Sequence, residues 1–173
     1  NINPASITGD GLTIQNNPNL SVCDLDNFCT YLQGAGLRNI SGNIGDCANE
    51  QAVNNKCQQP DCPPGNVFIS SQAQLNNFKV LYPNCTEING KLGIEGSSII
   101  NLDGLSNIVT IKGNLEILWN SSLENLDGLN SLSIVDGYFH LQNNEVLTNI
   151  DALSSLNSVG NYISISNHPS LIN

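Results

Sequence analysis

The stretch NLEILWNSSLENLDGLNSLSIVDGYFHLQNNEVL, Asn114 to Leu147, holds about one and a half copies of a repeat that organises most of the chain. Displaced by 23 or 24 residues, the sequence superimposes on itself from Ile88 onward. Ile88, Ile111, Val135 and Val159 form one column, and Leu92, Leu115, Phe139 and Ile163 the next. Ile94, Ile117, Leu141 and Ile165 form a third, and Ile99, Leu123, Leu147 and Leu171 a fourth. Shorter columns follow at Leu102, Leu126 and Ile150, at Leu105, Leu129 and Leu153, and at Ile108, Leu132 and Leu156. A fixed period of this length is the mark of a repeat architecture.

The spacing inside one copy selects the kind of repeat. Leu115 and Ile117 are two apart, which is strand period. Leu123, Leu126, Leu129, Leu132 and Val135 are each three apart. An amphipathic helix needs apolar residues at both three and four, so a sustained step of three does not describe one. It describes a flat-sided coil that turns corners and returns. Each coil then supplies a short strand at its L-x-I segment, and neighbouring coils stack these strands in parallel. The expected fold is mainly β: a right-handed parallel β-solenoid with coils of 23 to 24 residues, an aliphatic interior and short capping helices.

Two polar columns accompany the apolar ones. Asn120 and Asn144 lie three residues beyond the strand, Asn17 occupies the same place in an earlier coil, and His168 takes it in the last. An Asn there can bond the backbone of its own coil and of the next. Asp103, Asp127 and Asp151 form the other column, in LDGL, LDGL and IDAL. Capping of local backbone N–H groups accounts for them. A calcium ladder is the alternative, but the repeats lack the further oxygen ligands that a calcium loop supplies.

Before the repeats, residues 1–57 read as the last coil and disulfide cap of a preceding solenoid. Ile7, Leu12, Ile14 and Leu20 follow the column spacing with one residue inserted, and NNPNL parallels NNEVL and NHPSL. A short amphipathic helix is expected from Asp24 to Leu32, a strand around Ile40 and a second helix from about Asn49 to Lys56. Residues 58–64 form a Pro-rich linker. A second unit, residues 65–173, opens with the strand VFI and a helix capped by Ser70 or Ser71 and running to about Val80, with Leu75 and Phe78 inward. An end coil with one neighbour leaves apolar residues wet. The second solenoid is therefore expected to be truncated at Asn173, its open end covered by more of its own larger chain or by another chain.

Six cysteines without a CxxC pair, in a Lys-poor acidic chain, indicate disulfides in an oxidising compartment rather than a metal site. Cys62 and Cys85 bracket the helix of the second unit and are expected to pair. Cys23, Cys29, Cys47 and Cys57 allow three pairings; Cys23 with Cys47 and Cys29 with Cys57 would join adjacent cap layers. The formal charge of −10 excludes a nucleic-acid interface and a polybasic membrane anchor. No apolar run is long enough for direct membrane insertion.

CPPGNVFISSQAQLNNFKVLYPNCTEINGKLGI, Cys62 to Ile94, resembles the opening of the receptor L domain family, with its first Cys, cap helix and N-C-x-x-I-x-G-x-L-x-I entry. LDGLSNIVTIKGNLEI and its sequels resemble the family's leucine-rich-repeat-like coils. The Asn-rich character, 29 residues of 173, is similar to bacterial cell-surface members carried by type IX secretion. The resemblance implies a secreted or cell-surface module without shared catalytic residues, and no cofactor.

The outward strand residues carry the functional reading. Lys91, Asn114, Tyr138 and Tyr162 form one outward column; Gly93, Glu116, His140 and Ser164 a second; Glu95, Leu118, Gln142 and Ser166 a third. Glu116 and His140 are the one acid–base pair available, without the second carboxylate that a glycosidase needs. A polysaccharide-active β-helix enzyme is therefore the remote reading, and no catalytic residue is assigned. Leu118, Trp119, Tyr138, His140, Tyr162 and Glu116 form the candidate binding surface, suited to a surface protein or a carbohydrate. Trp119, the chain's single Trp, stands where other coils carry Asn16, Asn143 or Asn167. The competing reading is a structural spacer or stalk, tandem solenoids joined by a Pro-rich linker.

Overall fold

The structure, a computed structural model, describes residues 11–23, 29, 37–57 and 60–172. The chain divides into two compact units, Asn1–Pro60 and Asp61–Asn173. It is mainly β, with parallel sheets throughout and two α-helices among the described residues. The helix expected at Asp24 to Leu32 lies outside the described residues apart from Cys29.

In the second unit every repeat contributes two strands. One set is β3 (Val67–Ile69), β5 (Leu92–Ile94), β7 (Leu115–Leu118), β9 (Phe139–Gln142) and β11 (Ile163–Ser166). These form a five-stranded parallel sheet in the order β11-β9-β7-β5-β3. The other set is β4 (Glu87–Ile88), β6 (Thr110–Ile111), β8 (Ile134–Val135) and β10 (Ser158–Val159), a four-stranded parallel sheet in the order β10-β8-β6-β4. The L-x-I reading anticipated a single strand per coil. The second sheet was hidden because two residues are too few to display a period of two. The register pairs Leu92 with Leu115, Leu115 with Phe139 and Phe139 with Ile163, so side chains of one column stack on one another.

Alternation drives Leu115, Ile117, Phe139 and Leu141 inward, where they are fully buried with Leu123, Leu126, Leu129 and Leu132. Helix Gln72–Leu81 begins at Ser71, whose hydroxyl accepts from the Gln74 amide, and buries Leu75 and Phe78 against the same core. Its backbone runs close over the turn Asp103–Leu105: a Cβ on Gly104 would come 2.1 Å from the Leu75 carbonyl oxygen. On β11, Ile163 and Ile165 are half-exposed.

The only fully buried polar side chains among the described residues are Asn120 and Asn144. Asn144 Oδ1 accepts from the Asn120 backbone N–H (2.9 Å) and from Asn120 Nδ2 (3.0 Å). Asn144 Nδ2 donates to the carbonyls of Ile117 (3.0 Å) and Gln142 (3.2 Å). Asn120 repeats the pattern one copy earlier, accepting from the Gly96 N–H and donating to the Ile94 carbonyl. His168 ends the series. Its Nε2 lies 3.0 Å from the Leu141 carbonyl and its Nδ1 3.3 Å from the Asn144 amide nitrogen. Nδ1 also lies 3.2 Å from the Asn144 carbonyl, so the ring spans backbone groups of two successive repeats as the amides do.

In the first unit, β1 (Gly11–Gln15) and β2 (Leu37–Ser41) pair in parallel. Asn43 Oδ1 accepts from both nitrogens of Asn17, and Asn43 Nδ2 donates to the Ile14 carbonyl. Helix Glu50–Cys57 follows a 3₁₀ turn at Gly45–Cys47. Disulfides join Cys23 to Cys47, Cys29 to Cys57 and Cys62 to Cys85.

Asn144→Ala takes the acceptor from the buried Asn120 backbone N–H and a donor from the carbonyls of Ile117 and Gln142, the latter keeping the Trp119 N–H. A buried polar group without a partner costs about 1–3 kcal/mol, so urea unfolding of this variant should show a loss near or above the top of that range. Asn149→Ala removes a cap on the Asp151 amide and a long contact to the Thr148 hydroxyl, both exposed to water, and its cost should stay within about 1 kcal/mol.

Candidate functional site

The strand alternation that buries one column turns its neighbours outward, onto the free face of the five-stranded sheet. Glu116 on β7 stands opposite His140 on β9 in register, and His140 opposite Ser164 on β11. Tyr138 and Tyr162 precede β9 and β11 in the adjacent column. Their rings stack, with centroids 5.3 Å apart and planes 16° from parallel. The His140 ring lies 5.0 Å from Tyr138 and meets Tyr162 edge-on at 5.4 Å. Offset and edge-on contacts of this kind are the favoured arrangements of aromatic rings.

A polar chain fixes the cluster from one side. The Tyr138 hydroxyl donates to Glu116 Oε1 in a short hydrogen bond. Lys91 Nζ lies 2.5 Å from Glu116 Oε2 and also stands 5.6 Å from the centroid of the Phe68 ring. The Tyr138 amide donates to Asn114 Oδ1. Burial pushes the Glu116 carboxyl up, but hydrogen bonds from Lys91 and Tyr138 and the charge of Lys91 outweigh it, so the carboxyl ionises below its ordinary value. Tyr138 moves the other way. Its bond to the Glu116 carboxylate, then its burial and the nearby negative charge, hold the phenol proton beyond its ordinary value.

Both Glu116 oxygens are thus engaged and the group is held ionised, which suits an anchor and not a general acid. Glu116 stands opposite His140 in register, but its carboxylate is already committed to Lys91 and Tyr138.

Of the residues expected on this surface, Glu116, Tyr138, His140 and Tyr162 form one contact cluster. Leu118 stands beside Gln142 across the sheet and lines a groove on the far side of Glu116. Trp119 follows it and is 59% exposed. Its φ is 57°, and among the described residues the other non-glycine positions with positive φ are Asn16, Asn143 and Asn167, at 56°, 56° and 61°. Asn tolerates the left-handed region; a bulky aromatic residue there is strained.

Phe68, Lys91 and Glu95 were not singled out in the sequence, yet they line the same groove. Lys91 and Glu95 already belonged to the outward columns; Phe68 lies in a strand ahead of the recognisable repeats.

The Asp103, Asp127 and Asp151 column requires a correction. The backbone N–H of each Asp is bonded by the Asn two residues earlier, through Asn101, Asn125 and Asn149 Oδ1 at 3.2, 2.9 and 3.3 Å. The capping oxygens thus come from Asn, in Asx turns, and the three carboxylates are exposed. Among the described residues no group of three or more His, Cys, Asp or Glu is positioned to hold a metal ion.

Residues 84–172 match the family described as receptor L domain, whose members are non-catalytic binding domains. No curated protein and no solved structure matches the chain. No described helix is long and apolar enough to cross a membrane.

The opposed displacements of Glu116 and Tyr138 have separate signatures. A lowered carboxyl contributes stability that is present above the unfolded-state value and lost as pH falls through the folded one. In acid titrations followed by carboxyl NMR, Glu116 should be among the last carboxylates to protonate, and the tyrosine cluster should loosen in the same window. Phenol titration should find Tyr138 last to ionise among the described tyrosines, and Glu116→Gln should bring it back toward its ordinary range.

Proposed function

The chain belongs to the receptor L domain family, and from that premise we propose that it is an extracellular recognition module whose ligand, a surface protein or a carbohydrate, binds the free face of the five-stranded sheet. The observation that carries this reading is the locked cluster of Tyr138, Tyr162 and His140. Its rings are held in fixed contact and its base is tied through Glu116 to Lys91. Aromatic faces that are rigid before binding lose little entropy on contact, which is what a recognition surface needs.

The architectural part of the proposal is that the alternating parallel strands and the Asn series form a right-handed β-solenoid. Residues 1–57 would close one such unit and residues 65–173 begin another, with 58–64 between them. Three disulfides fit an extracellular setting. The Asn-rich repeats support, as the narrower proposal, an adhesion protein of the bacterial cell surface exported by type IX secretion.

The competing reading is a spacer, in which the outward face has no ligand. Trp119 favours recognition over it. A spacer gains nothing from an exposed indole held in a left-handed backbone position where the corresponding sites carry Asn. Strain retained at an exposed position points to a use for the side chain.

Trp119→Asn separates folding from use. Relief of the left-handed strain should raise stability by about 0.5–1 kcal/mol in urea unfolding. Arrays of immobilised carbohydrates and extracellular proteins, probed with the full chain, should show the same variant binding less well. Tyr162→Ala should weaken array binding at little cost to folding, because the ring is half-exposed. Binding unchanged in both variants would favour the spacer.

A further inference from the structure

Gly93 interrupts the outward column that carries Phe68 before it and Glu116 after it. The missing side chain leaves a groove of about 360 Å³ across β3, β5 and β7. Phe68, 64% exposed, forms one wall and Leu118 the other. The ring leans over the gap: a Cβ on Gly93 would approach Phe68 Cδ1 to 3.0 Å. Ser70 and Glu95 line the groove as well, with Lys91 and Glu116.

The charges are unequal in use. Lys91 is paired with Glu116 and stands 5.6 Å from the Phe68 ring centroid, and Glu116 is also bonded to Tyr138. Glu95 is exposed, and among the described residues its carboxylate has no ion pair or side-chain hydrogen bond. The groove therefore offers an aromatic face, an aliphatic wall and one uncommitted negative charge, on a chain of net charge −10.

We propose that the Gly93 groove receives an arginine or lysine side chain of a protein partner, its methylene stem between Phe68 and Leu118 and its cationic end on Glu95. This rests on the recognition reading above and names the ligand chemistry for part of that face. A methylene stem gains from burial against the Phe68 ring and Leu118 while its charged head stays at the open edge, and the strongly negative chain draws a basic partner toward it. An anionic ligand would meet Glu95 and Glu116 in a chain already negative. A neutral sugar would find few polar groups to orient it, because Lys91 and Glu116 are bonded to each other.

The test is amide NMR on the full chain, titrated with acetyl-Gly-Arg-Gly-amide, with its citrulline counterpart and with cellotetraose. Citrulline keeps the shape and hydrogen-bonding edge of arginine but removes the charge. The arginine peptide should shift the amides of Phe68, Gly93, Glu95 and Leu118. The citrulline peptide should bind about tenfold more weakly, as expected when a charge-assisted contact becomes a neutral one. Glu95→Gln should erase the difference between the two peptides, Phe68→Ala should weaken both, and added salt should weaken only the arginine peptide. Both substitutions are at exposed positions, so folding is checked simply from the remaining spectrum. The proposal is overturned by equal affinity for the two peptides, by preference for cellotetraose, by shifts confined to other residues, or by no shift at millimolar peptide. If it falls while Tyr162→Ala still weakens array binding, the recognition reading stands and only the ligand class is lost. If Tyr162→Ala and Trp119→Asn also leave array binding unchanged, both fall together.

Discussion

A primary amide enclosed in an aliphatic interior must have both of its hydrogens and its oxygen occupied, and Asn144 meets this demand with groups from two successive repeats. The same arrangement recurs at Asn120 and, in the first unit, at Asn43. Leaving such a group unpaired costs more than the bond itself is worth, so these amides specify spacing more than they add stability. Adjacent repeats have to sit one strand spacing apart and in a single register, or the amides lose their partners. The aliphatic columns supply most of the attraction, but leucines alone would tolerate slippage that the amides do not.

The free face of the sheet inherits its order from that constraint. Because the register is fixed, Tyr138 lies over Tyr162 and Glu116 lies opposite His140. The residues just before Asn120, Asn144 and His168, namely Trp119, Asn143 and Asn167, take a left-handed backbone. A position needing that conformation favours Asn for local reasons, and the Trp found there departs from the local preference. The same repeat that makes the interior uniform thus makes a departure on the surface stand out.

The interior was readable in the sequence because each of its columns is a side-chain type repeated at one offset. Leu115 and Ile117, or Asn120 and Asn144, announce themselves by recurrence. Asn43 escaped notice because it stands 26 residues from its partner Asn17, outside the 23–24 step. The four-stranded sheet escaped because β4, β6, β8 and β10 are two residues each. The Asp column drew attention to the carboxylates, whereas the Asn two residues earlier supplies the bonds. The groove was the least legible feature. It depends on an absent side chain at Gly93 and on Phe68 from a strand that precedes the repeats, and a gap between columns leaves no periodic trace.

Asn120 is followed by Ser121 and Ser122, which makes it an acceptor motif for N-linked glycosylation. Its side-chain nitrogen is the atom that would carry the sugar, and here that atom is sealed from solvent and shared between the Ile94 carbonyl and Asn144. A glycan on Asn120 and a closed stack of repeats are therefore mutually exclusive. In a host that attaches oligosaccharides to nascent chains, a transferase would compete with folding for this one nitrogen, and the order of the two events would decide the product. A chain folded first is immune at Asn120, and a chain modified first has lost the amide that sets its register.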